Sequence, residues 1–97
     1  MFQGDVSIIS NDGKIYKLTL DEQKACEGPS DWHGPGDPSS WLSAKIFSAA
    51  KAKTGDRELA FALGAKALGV PIDKLRASIE WHVSYMRFHD GDDSYDL

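Results

Sequence analysis

The sequence predicts an α+β fold, an N-terminal antiparallel β-hairpin or small sheet packed on three to four helices. Two observations carry this. The first residues alternate apolar and polar side chains around an Asp-Gly pair, and the second half repeats apolar residues at helical spacing between capping signals. A third, the length of 97 residues with no long linker or internal repeat, fits one domain spanning residues 1–97.

Residues 5–10 and 14–20 alternate about Asn11-Asp12-Gly13, where a tight turn needs positive φ. Val6 and Ile8 then share one face of the first strand, and Tyr16, Leu18 and Leu20 one face of the second. Thr19 and Glu22 have the spacing of a capping box for a short helix over residues 21–27, which Gly28-Pro29 stops. Residues 28–38 hold three glycines and three prolines around Trp32-His33 and read as a stiff, irregular loop.

Asp37 followed by Pro38 is a helix-start pattern, so a second helix is expected over residues 38–53, with Leu42, Ile46, Ala49 and Ala50 as its apolar stripe. Asp56 caps a third helix that runs to Leu68, and Gly69 provides its left-handed exit. Pro71 opens the last helix, which extends to about residue 89. Here Ile72, Leu75, Ile79, Val83 and Met86 fall on one face, and Trp81, Tyr85 and Phe88 on nearly the opposite one. Two apolar faces predict a central helix, with helices on one side and the hairpin on the other.

The net charge of −4 opposes unaided attraction to nucleic acid, and its distribution is uneven. Residues 1–37 carry seven acids and three bases (−4), residues 38–54 three lysines (+3), residues 55–89 four acids and five bases (+1), and residues 90–97 four acids (−4). No run approaches the ~18 apolar residues of a membrane span, and the first residues lack the pattern of a secretory signal. Cys26 is the single cysteine, so no internal disulfide forms and a cytoplasmic setting is expected, with no membrane partner.

Residues 61–80 resemble a helix-turn-helix, with Ala65, Gly69 and Leu75 at the characteristic relative spacing. Gly64, however, occupies a position that usually carries an apolar residue, and the second helix offers a balanced set in Asp73, Lys74, Arg76 and Glu80. A DNA-binding regulator using this unit, concentrating Lys66, Lys74 and Arg76 in a dimer, is the alternative reading; reuse as plain packing is the other. Cys26, His33, His82 and His89 lack the spacing of short zinc clusters, and residues 90–96 lack the sixth-position glycine and distal Glu of a calcium loop. No nucleophile with a neighbouring base and no phosphate-binding glycine loop is present, so no catalytic residue, metal or cofactor is expected.

The acidic stretches carry the functional expectation. Asp90, Asp92, Asp93 and Asp96 follow the aromatic helix end, and Asp21, Glu22, Glu27, Asp31 and Asp37 surround the stiff loop. Such runs often serve only as solvated surface. Alternatively, carboxylates in place of phosphates would be drawn to lysine- and arginine-lined channels. In size, and in the charge pattern of Asp21, Glu22, Asp90, Asp92, Asp93 and Asp96, the chain resembles the small phage-encoded anti-CRISPR proteins that act on type I-F surveillance complexes. Several of those imitate DNA. The resemblance implies a non-enzymatic inhibitor whose partner is a host nucleic-acid-binding protein or ribonucleoprotein complex, acting in the host cytoplasm without binding nucleic acid directly.

Overall fold

A computed structural model describes residues 2–97. Strands β1 (Val6–Ile9) and β2 (Ile15–Leu18) pair antiparallel, with Val6 opposite Leu18 and Ile9 opposite Ile15. Gly13 takes φ +83° in the turn, as the Asp-Gly signal requires, and Asp12 Oδ1 accepts from the Lys14 amide at 3.2 Å. Val6, Ile8, Tyr16 and Leu18 face inward. Ser7, Ile9, Ile15 and Lys17 face solvent.

Helix α1 (Leu20–Cys26) opens with the expected capping box, Thr19 Oγ1 accepting from the Glu22 amide and Glu22 accepting from the Thr19 amide. Leu20 therefore belongs to this helix and not to the second strand. Between residues 28 and 38 the structure corrects the reading of an irregular loop. β3 (Trp32–Gly34) pairs with the two residues of β4 (Asp37–Pro38) across a Pro35-Gly36 turn. Pro38 sits at the edge of this miniature hairpin, where its missing N–H costs nothing. The Asp37-Pro38 pair accordingly does not start the next helix. Ser39 does, its hydroxyl accepting from the Leu42 amide at 3.1 Å.

Helices α2 (Ser40–Thr54), α3 (Arg57–Leu68) and α4 (Ile72–Asp90) enclose the core. Asp56 caps α3 through the Glu58 and Leu59 amides, as its sequence position predicts. Phe47 and Phe61 meet at 4.5 Å between centroids, surrounded by Leu42, Ile46, Leu63 and Leu75, all buried. Gly64 explains itself here. A Cβ at this position would lie 3.2 Å from Leu75 Cδ2 and 3.5 Å from Ile46 Cγ2, so the missing side chain is what lets α2, α3 and α4 converge.

The hairpin rests on α2 and α3. This overturns the expectation of a central last helix. Leu75, Ile79 and Val83 of α4 are buried, but Trp81, Tyr85 and Phe88 stand 56%, 37% and 83% exposed, because the surface the hairpin was expected to cover on α4 is on α2 and α3 instead. Residues 91–97 hold a second departure. They fold back, so that Tyr95 and Leu97 pack against the core, where the charge run by itself read as solvated surface. No helix among the described residues is long and apolar enough to cross a membrane.

Candidate functional site

Helix α2 carries three lysines, and each holds part of an acidic stretch. Lys45 Nζ pairs with Asp31 at 2.8 Å, Lys53 Nζ with Glu22 at 2.6 Å, and Lys51 Nζ donates to the Leu97 carbonyl at 3.2 Å. Lys53 and then the capping contacts hold the Glu22 carboxyl below its usual range; Lys45 does the same for Asp31. The basic segment of the sequence thus neutralises part of the first acidic stretch, through Asp31 and Glu22, and holds the second only by a backbone carbonyl.

The other expected carboxylates divide in the same way. Asp31 also accepts from the Gly28 amide and the Ser39 hydroxyl, which ties the 28–39 segment to α2. Glu27 accepts from the Trp32 indole N–H. Asp37 faces Lys74 at 3.9 Å, and Asp96 faces Arg57 at 3.9 Å. Asp92 accepts from the Ser94 amide and hydroxyl, which lower its pKa. Among the described residues, Asp21, Asp90, Asp92 and Asp93 form no ion pair, and the last three cluster where α4 ends. The nine carboxylates therefore do not form one patch: some staple the fold, Asp21 lies on α1 without an ion pair, and Asp90, Asp92 and Asp93 are concentrated at the end of α4.

That end adjoins an aromatic strip. Trp81 and Tyr85, one helical turn apart, stack with centroids 5.2 Å apart and planes 21° apart; Tyr85 continues to His89 at 4.1 Å, and Phe88 lies beside them. By helical spacing Glu80 borders the strip, on the edge it shares with Arg87. The aromatic spacing was legible in sequence, but nothing there distinguished a covered face from an open one.

His82 points the other way. It is 2% exposed, packed edge-on against Trp41 at 4.8 Å, with Nε2 3.4 Å from the Tyr95 hydroxyl and Nδ1 buried without a partner. Burial pushes its pKa down. Cys26 shares the neighbouring cleft, its thiol pushed up by burial and donating to the Glu22 carbonyl, which keeps it in the unreactive thiol form. Among the described residues no group of three or more His, Cys, Asp or Glu side chains converges as a metal site requires. A cleft of about 650 Å³ runs past Gln23 and Trp32. The Gln23 amide nitrogen donates to the Gly4 and Leu18 carbonyls, which fixes the orphan as Oε1; one such oxygen without convergent partners does not define a ligand site.

The helix-turn-helix spacing corresponds to real packing, with Ala65 and Leu75 buried and Gly69 closing α3. The cations a DNA reader needs are engaged elsewhere. Lys66 Nζ donates to the Ser7 carbonyl at 2.8 Å, Lys74 Nζ to the Gly36 carbonyl at 3.1 Å, and Arg76 grips Glu58 through both terminal nitrogens while lying over the Phe61 ring. Comparison with protein-family models, curated proteins and solved structures returned no match to this chain.

Proposed function

We propose that this chain is a non-enzymatic inhibitor that binds a basic nucleic-acid-binding surface of a host defence complex of the CRISPR surveillance kind, excluding target DNA by imitating its charge. One observation carries this reading: Asp90, Asp92 and Asp93 stand exposed at the end of α4 with no ion pair among the described residues, so their charge remains available to a partner. The other acidic residues mostly complete internal contacts. The mimicking surface is thus narrower than the charge pattern of the sequence implies, and it lies on the α4 end and not around the Trp32 segment. The alternative, DNA binding through residues 61–80, has the packing it needs but would have to release Lys66, Lys74 and Arg76 from their present partners.

The test is competition on a purified type I-F surveillance complex. The protein is expected to displace target duplex from it, and association should slow as salt rises, since steering is screened over ~8 Å at physiological ionic strength. Asp90→Asn, Asp92→Asn and Asp93→Asn together should weaken binding. Simultaneous binding of protein and duplex, with salt-insensitive kinetics, would exclude mimicry. Direct retention of duplex by the protein alone would favour the regulator.

A further inference from the structure

We infer that the exposed aromatic strip of α4 is a docking face for arginine side chains of a basic protein partner. The inference rests on the inhibitor reading above and names the part of the surface that would anchor it. Trp81, Tyr85 and Phe88 expose apolar area that neither the hairpin nor residues 91–97 cover. Contiguous exposed aromatics on a small domain mark interaction surfaces, and interface anchors are enriched in Trp and Tyr.

Charge selects the occupant. Glu80 borders the strip, and the exposed Asp90, Asp92 and Asp93 follow its C-terminal end. The neighbouring cations are spoken for: Lys74 reaches Gly36 and Asp37, Arg76 grips Glu58, and Arg87 Nε donates to the Tyr95 carbonyl at 2.7 Å. A second copy of this chain would bring like charges together across the face. A guanidinium instead gains both features, stacking flat on a ring while a carboxylate stands within reach. Trp81 and Tyr85 already lie against each other, so docking need not order them. The chain itself uses such contacts, with Arg57 and Arg76 lying over Phe61 at 5.2 and 4.4 Å and Lys14 more distantly over Tyr16 at 6.0 Å.

The experiment uses synthetic peptides of alternating glycine with arginine, lysine or citrulline, titrated calorimetrically into the full chain at low salt. Exposed cation–π contacts are worth roughly a factor of two to five each for either cation, so two rings should favour the arginine over the citrulline peptide by about five-fold or more, with lysine measurably weaker than arginine because only the guanidinium stacks flat on a ring. Trp81→Leu with Tyr85→Leu keeps apolar area but removes the π faces, and should bring the arginine and lysine peptides level. The urea midpoint of that variant verifies its fold. The Asp90, Asp92 and Asp93 asparagine variant should weaken both cationic peptides alike. Equal binding of arginine and lysine by the unaltered chain, an arginine preference that survives the leucine variant, or no measurable arginine binding overturns the inference. So does sedimentation showing a dimer that Trp81→Ala with Tyr85→Ala abolishes. The inhibitor reading fails separately, if neutralising the three aspartates leaves binding to the surveillance complex unchanged.

Discussion

The Nε2 atom of His82 lies 3.4 Å from the hydroxyl oxygen of Tyr95, and this contact ties residues 91–97 to the middle of α4. Further bonds hold the same segment: Arg87 Nε to the Tyr95 carbonyl at 2.7 Å, and Arg57 to the Leu97 carbonyl at 2.6 Å. Tyr95 is half-buried, so Tyr95→Ala should cost about 1–3 kcal/mol, less than the ~3–5 of a fully buried aromatic. Tyr95→Phe gives up only a long hydrogen bond and should cost about 1 kcal/mol or less. Urea midpoints of the two variants would separate packing from hydrogen bonding. Equal losses would mean that the hydroxyl, and not the ring, secures the segment.

A pH dependence follows from the same imidazole. Trp41 from α2 and Tyr95 face it, Lys45 lines the adjoining cleft, and no carboxylate lies among these contacts to favour its charged form. Burial pushes the folded pKa below the ordinary value of 6.5, so the unfolded chain takes up a proton first as pH falls. Stability should be full above about pH 6.5 and decline below it, until the folded imidazole is protonated as well. Glu22 and Asp31, held low by Lys53 and Lys45, begin to lose their contribution only below their ordinary values of 4.5 and 3.8. Denaturation midpoints between pH 7.5 and 5 should therefore slope in the unaltered chain and flatten in His82→Gln.

Gly64→Ala sets two effects against each other. Helix propensity favours alanine by about 1 kcal/mol. Overpacking against Leu75 and Ile46, both buried with little room to yield, costs about 1–3 kcal/mol. A net loss of about 1 kcal/mol is expected, read from the urea midpoint. A stabilised variant would mean that the three helices relax apart more easily than their packing implies.

Trp81→Ala should change stability by about 1 kcal/mol or less, since the ring is more than half exposed. Phe61→Ala, which removes a ring 1% exposed, should cost about 3–5 kcal/mol. A large loss at Trp81 would restore that side chain to the core and remove it from any docking surface.

The sequence by itself determined the features that depend on neighbours a few residues apart. Asp12-Gly13 dictated the hairpin because its turn needs positive φ, and Thr19 with Glu22, Asp56 and Gly69 marked helix ends because capping is a local hydrogen-bond problem. The apolar stripe through Leu75, Ile79 and Val83 was equally plain. What packs on what was decided only in the tertiary structure. Whether Trp81, Tyr85 and Phe88 are covered depends on where the hairpin lands, and it lands on α2 and α3. Whether Glu22, Asp31 and Asp96 are free depends on Lys53, Lys45 and Arg57, residues 14 to 39 positions away that only folding brings within reach. Periodicity and charge counts describe the chain's own surface; a face or a carboxylate acquires its role from the long-range neighbour that does or does not arrive to meet it.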